Sequence, residues 1–309
     1  MKNLRLYINI PYCTNRCIFC DINNHLIDDD QREAFYKAII KEIKSFDENY
    51  KYDYEVKSIY FGGGVPGSIR PNVIEEILSD IKEQFTISSD AEISLKILPG
   101  KLNDNYFPVY LDNGINRISI DYLTNSYFLH NFLGHKKTDN AMDRTLPVFL
   151  NHHFENVNFD LGIGLPGQNE ANLDEEVHTL CDFHGAKEIT LHPLRIEDNS
   201  GIKKLYDEHP EYLNNLNRFL PDIEKAYKYV KEKLEAREYI EYLPYCFGLK
   251  GFECLDYKLR KNNTEVIGIG PNAYSCIDGV TYSNTSDLNI YLENSDNFRL
   301  IATDIKTIQ

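Results

Sequence analysis

The chain has no block of five or more Lys/Arg and no run near the ~18 apolar residues of a membrane-crossing helix. Acidic residues outnumber basic ones 48 to 33, a formal charge of −15. Together these disfavour non-specific nucleic-acid binding and attachment to an anionic membrane surface. The opening MKNLRLYINIPYC lacks an apolar h-region, so it reads as neither signal peptide nor anchor. Repeats and low-complexity linkers are missing too. Cysteine is scarce and odd in number, seven in 309 residues without secretory context, which points to a reducing cytoplasm. Cys181, Cys246, Cys254 and Cys276 have no close partner in sequence and read as core or incidental thiols. With 42% hydrophobic residues, the chain can build a substantial core as one large α/β domain or two small ones.

The other three cysteines are close together. Cys13, Cys17 and Cys20 stand in YINIPYCTNRCIFCD at spacing C-x3-C-x2-C, just after a short apolar strand. Three thiolates held this tightly suit a soft metal or an iron–sulfur cluster. Structural zinc and most clusters take four protein ligands, so three leave one position open. A zinc knuckle with His25 as the fourth ligand is the rival reading, and three unrelated buried thiols are a weaker one.

Strand and helix signals alternate along the first two-thirds. Strands are expected at 4–10, 56–61, 91–98, 117–123, 157–165 and 188–196. Helices are expected at 31–46, 71–85, about 104–111, 126–133, 140–151 and 172–183. In the first, Phe35, Ala38, Ile39 and Ile43 share a face. Six such units predict a curved or barrel-like parallel sheet, with functional groups at the carboxyl ends of its strands. The cysteines, Gly62-Gly63-Gly64, Asp160 with the turn holding Gly162, Gly164 and Gly167, and His192 all fall there. A charged helical stretch follows over 210–238, bent at Pro221, with Leu213, Leu216, Leu220, Ile223, Ala226 and Val230 at helical spacing; a short extended piece comes at 239–247. The division expected is a core barrel at 1–205 and a C-terminal extension at 206–309 packing on it.

The cysteine loop resembles the cluster motif of the radical S-adenosylmethionine (radical SAM) superfamily, with Phe19 in its aromatic place. YINIPYC, YFGGGVPGS and the closing EVIGIGPNAYSCIDGVTYSNTSDLNIYL resemble the oxygen-independent coproporphyrinogen III oxidase-like branch. The resemblance implies a partial (β/α)6 TIM-like barrel, a [4Fe–4S] cluster on Cys13, Cys17 and Cys20, and S-adenosylmethionine (SAM) on the fourth iron. It implies a 5′-deoxyadenosyl radical, hydrogen abstraction or radical C-functionalisation of a small-molecule or peptide substrate, and a one-electron donor such as a flavodoxin or ferredoxin. Implied cofactor contacts are Phe19, Gly62, Gly63, Gly64, Val65, Lys96, His135, Asp160, Gly162 and Leu194, with Tyr7 and Tyr274 as candidate catalytic groups. Relatives continue into a helical covering domain; this chain stops 18 residues after Tyr291, so that domain is expected to be missing.

Several implied contacts are altered. Lys96 replaces a glutamate for the methionine amino group, Leu123 a ribose glutamine, His135 an arginine for the methionine carboxylate, and Val65 a threonine. Each charged hydrogen bond removed costs ~1.5–3 kcal/mol. Two outcomes are open: Lys96 or His135 receives the methionine carboxylate, or the chain has lost radical cleavage and keeps a cluster or heme for binding and delivery. His192, where relatives have tyrosine, could be a proton donor, an axial heme ligand or a plain rim histidine.

Overall fold

The computed structural model describes residues 1–13, 17–20, 25–26, 29–134, 140–196, 198, 200–209 and 223–307. Six parallel strands stand side by side in chain order: β1 (Lys2–Ile10), β2 (Tyr54–Gly63), β3 (Thr86–Ile97), β4 (Arg117–Leu123), β5 (Val157–Ile163) and β6 (Glu188–Pro193). Helical crossovers join them, as parallel neighbours require. These include α1 (Asp29–Lys44), α2 (Pro71–Gln84), α3 (Phe107–Asp112), α4 (Tyr127–Phe132), α5 (Ala141–Asn151) and α6 (Glu170–His178). Among the described residues the sheet does not close. Two strands follow β6 in the chain, β7 (Ile240–Leu243) and β8 (Cys246–Gly248); β8 pairs antiparallel with β6 and β7 lies outside it, antiparallel to β8; beyond β1 come β9 (Glu265–Ile269), parallel to it, and then β10 (Tyr274–Ile277), β11 (Val280–Asn284) and β12 (Ala302–Thr307). The expected partial (β/α)6 barrel is therefore present, within a sheet of twelve strands among the described residues.

Local chemistry accounts for the helix starts. Pro71 opens α2, where its missing N–H costs nothing. Asn169 and Asn172 cap each other's backbone at α6, each contact 3.1 Å. Ser126 accepts from the Leu129 N–H at α4. The α1 face of Phe35, Ala38, Ile39 and Ile43 is buried as its spacing predicts. Some boundaries differ: β3 starts at Thr86 rather than 91, while β5 and β6 end at Ile163 and Pro193 rather than 165 and 196. Of the stretch expected to be helical over 210–238, α8 (Ile223–Glu235) is described; Leu213, Leu216, Leu220 and Pro221 lie outside the described residues.

The strands' two faces have opposite character, because successive side chains alternate. Leu4, Leu6, Ile8, Phe61, Ile118 and Phe159 belong to the apolar core beneath the helices. The inner face is polar. Arg5 makes two 3.0 Å bonds to Asp256, which also accepts from Ser58 at 2.8 Å. Arg117 of β4 binds Glu188 of β6 through Nε at 3.0 Å and through Nη2, and Tyr242 donates to the same carboxylate. Glu92 accepts from the Leu255 N–H at 2.8 Å, where helix α9 (Leu255–Lys261) meets the barrel. At the carboxyl end of the strands the inner layer is Lys96, Asp121, Asp160 and His192.

Candidate functional site

The cysteine loop leaves β1 at the carboxyl end of the sheet. Cys13 lies against the glycine run: the Gly64 N–H donates to Ile10 O at 2.7 Å and the Val65 N–H to Tyr12 O at 2.8 Å. A Cβ at Gly64 would stand 2.9 Å from Cys13 Sγ, and one at Gly62 would meet the Tyr7 hydroxyl at 2.7 Å. Gly63 has φ +95°, which favours glycine. The missing side chains thus serve close packing of loop and strand. The far side of the loop is pinned at Ile18, whose N–H donates to Leu133 O (2.9 Å) and whose carbonyl accepts from Ile202 N (2.6 Å), in α7 (Gly201–Glu208). His25 pairs through its backbone with Tyr12.

Cys13, Cys17 and Cys20 are half-buried and carry no disulfide. Burial, followed by its neighbours Cys20 and Asp121, pushes the Cys13 thiol up to about 12. Burial, then Asp121 and the other two cysteines, pushes Cys17 up as well. Grouped thiols of this kind ionise once a positively charged metal centre faces them. Among the described residues, no three Cys, His, Asp or Glu side chains converge on one ion. A cubane cluster gives each thiolate its own iron, so this donor set fits a [4Fe–4S] group.

The polar layer beneath the loop fits SAM less well. Asp160, 5% exposed, bonds Lys96 Nζ at 2.9 Å through Oδ2. Its Oδ1 accepts from Asn158 at 2.8 Å, lies 3.4 Å from Ser119 Oγ and 3.3 Å from His192 Nε2. A carboxylate offers about four acceptor sites, and four groups surround this one. Burial alone would raise Asp160, but Lys96 and His192 overturn that and hold it far below the usual carboxylate range. Burial likewise works against the Lys96 ammonium, yet Asp121 (3.9 Å) and Asp160 hold it well above its ordinary value. Lys96 is 21% exposed and paired, so it is no free strand-end lysine. The buried partner that a carboxylate in an apolar strand needs is this residue.

Other expected contacts divide. Phe19, Leu123 and Leu194 meet in one apolar cluster with Leu129, Leu133 and Leu165. Leu123 has φ 62° and lies against Gly162, leaving no space for a Cβ there. Val65 is buried beside the loop. Tyr7 stacks on Tyr60 with ring centroids 6.1 Å apart, and burial raises its hydroxyl. Tyr274 lies on the added hairpin, 52% exposed, with its backbone against Gly268, the β9 residue paired with Tyr7. His192 is at the mouth with its side chain 49% exposed. His135 lies outside the described residues.

A family model described as the radical SAM superfamily matches residues 7–180. The chain belongs to the radical SAM superfamily. Its similarity is to the oxygen-independent coproporphyrinogen III oxidase-like branch. It is 27% identical to the heme chaperone HemW of Lactococcus lactis over 97% of this chain and 76% of that protein. It is 24% identical to oxygen-independent coproporphyrinogen III oxidase of Pseudomonas aeruginosa, over 96% of this chain and 66% of that protein. The fold is that of the coproporphyrinogen III oxidase HemN from Escherichia coli, described as a radical SAM enzyme: TM-score 0.83, 18% identity, covering all of this chain and 72% of that one. Among the described residues no helix is long and apolar enough to cross a membrane.

Sequence reading missed the Lys96–Asp160 pair and the charged inner face. Their signal was the period-two placement of Lys96, Asp121, Asp160 and His192, one on each of four consecutive strands.

Proposed function

We propose that this chain holds a [4Fe–4S] cluster on Cys13, Cys17 and Cys20 and acts in the cytoplasm as a non-catalytic carrier of heme or a related tetrapyrrole. The observation that carries this reading is the engagement of Asp160 by Lys96, Asn158, Ser119 and His192. The carboxylate that would receive ribose is occupied, and a cation stands where relatives place a carboxylate for an amino group. Restoring those contacts means breaking a buried ion pair, which costs about 3–5 kcal/mol. Similarity to proteins named heme chaperones supports the same reading. Residues 206–309 serve here as an extension of the barrel, with β9 lying along β1.

The test uses anaerobically reconstituted full-length protein. Reduced protein given SAM is expected to form 5′-deoxyadenosine only at the blank level, while hemin binds saturably. 5′-Deoxyadenosine above blank would overturn the reading.

A second reading is favoured by one observation: Cys13, Tyr7, Asp160 and the Phe19–Leu194 apolar wall share one end of the barrel. Here the chain is a radical SAM enzyme in which Lys96 exchanges Asp160 for the methionine carboxylate. The cofactor would supply the radical, and a flavodoxin- or ferredoxin-type donor the electron. The protein would orient an organic substrate and exclude water. Calorimetry separates the two: SAM binding lost in Lys96→Gln supports this second reading.

A further inference from the structure

Lys96 and Asp121 stand near the carboxyl ends of β3 and β4, the end of the sheet at which the cysteine loop leaves β1, and they are opposite in sign. Lys96 projects from β3, whose end packs on the turn after the glycine run (a Cβ at Gly67 would stand 2.6 Å from Ile97), and it is locked by Asp160 at 2.9 Å and faces Asp121 at 3.9 Å. Held by Asp160, the ammonium is a fixed charge beside the cluster loop rather than a swinging surface group.

We propose that Lys96 is an electrostatic tuning residue for the cluster: its ammonium favours the reduced, more negative cluster and raises its reduction potential, while Asp121 opposes it. This rests on the reading that Cys13, Cys17 and Cys20 hold a cluster. Net charge and surroundings set the potentials of such centres. A fixed positive charge in a partly desolvated site is weakly screened and stabilises the added electron. Raising the potential also lowers the driving force for electron transfer into a sulfonium, so Lys96 would oppose SAM cleavage twice, by occupying Asp160 and by holding the electron on iron. The step is a reversible one-electron reduction of the cluster by an external donor, dithionite in the assay, with no bond made or broken.

The experiment is an EPR-monitored redox titration of reconstituted full-length wild type, Lys96→Gln, Lys96→Arg and Asp121→Asn, with iron and sulfide measured for each. Lys96→Gln is expected to shift the reduction equilibrium at least tenfold toward the oxidised cluster, about 59 mV downward for one electron. Lys96→Arg should stay near wild type, and Asp121→Asn should move upward. If Lys96→Gln loses its cluster, Lys96→Met, which keeps the length of the side chain without its charge, takes its place and is expected to shift the potential the same way. Potentials unchanged or moving the other way would overturn the inference, yet leave the carrier reading standing, since that is judged by 5′-deoxyadenosine and heme. Radical cleavage by wild type would sink the carrier reading without touching the potential shifts.

Discussion

Glu42 offers a quantitative test of how the C-terminal segment is fastened to the barrel. This carboxylate of α1 is buried and accepts from Tyr291 Oη at 2.5 Å, Asn284 Nδ2 at 2.6 Å and the Gly270 N–H at 2.8 Å. All three donors lie beyond β1's partner strand or at its end, and the turn they fix sends Pro271 O to Asn9 at 2.6 Å. Burial pushes Glu42 up to about 7 against the pull of these donors. Its folded value lies above its unfolded one, so its contribution is fully present below the unfolded value and is lost as pH rises through about 7. That loss is on the order of 3 kcal/mol, or roughly 5 °C in Tm for a chain of this size. Glu42→Gln removes the titration and sets an NH2 group against the Gly270 N–H or the Asn284 amide. It should cost about 1–3 kcal/mol at pH 5. Thermal unfolding of both proteins from pH 5 to 8 is the assay. The wild-type lead should shrink as pH rises. A gap that stays constant across that range would refute the reasoning.

Other expectations concern the barrel and the loop. Glu188→Gln leaves the buried Arg117 poorly paired and should destabilise the fold by about 3–5 kcal/mol in urea unfolding, whereas Arg117→Met with Glu188→Leu should recover much of that. A single variant within 1 kcal/mol of wild type would contradict this, 1 kcal/mol being about the ordinary mutational cost. Gly64→Ala places a methyl 2.9 Å from Cys13 Sγ and should lower bound iron after reconstitution while circular dichroism stays native. Full iron loading would show that the loop yields more easily than its packing implies. Gly248→Ala, whose added methyl would stand no nearer than 3.5 Å to a neighbour, is the matched control, being like Gly64 outside the positive-φ region, and should retain iron.

The parallel core was legible because alternating strand and helix signals each carried their own punctuation: Pro71 opening α2 and Gly114 closing the turn after α3. The cysteine spacing was legible for the same local reason. Pairings across the barrel were not, because residue type alone does not say that Lys96 reaches Asp160, two strands away, or that Arg117 reaches Glu188. The β9 strand was also missed. EVIGI is short and apolar, and its place beside β1 depends on a long-range parallel pairing. Glu42 carried no local signal, because its three partners lie more than 220 residues away in the chain.

The most direct test is Mössbauer spectroscopy of protein reconstituted with iron-57, beside variants carrying serine at Cys13, Cys17 or Cys20. The account predicts a [4Fe–4S] signal in the wild type, with one iron distinguishable from the other three, and loss of that signal in each variant. Stoichiometric zinc in place of iron, or a cluster indifferent to all three substitutions, would contradict it.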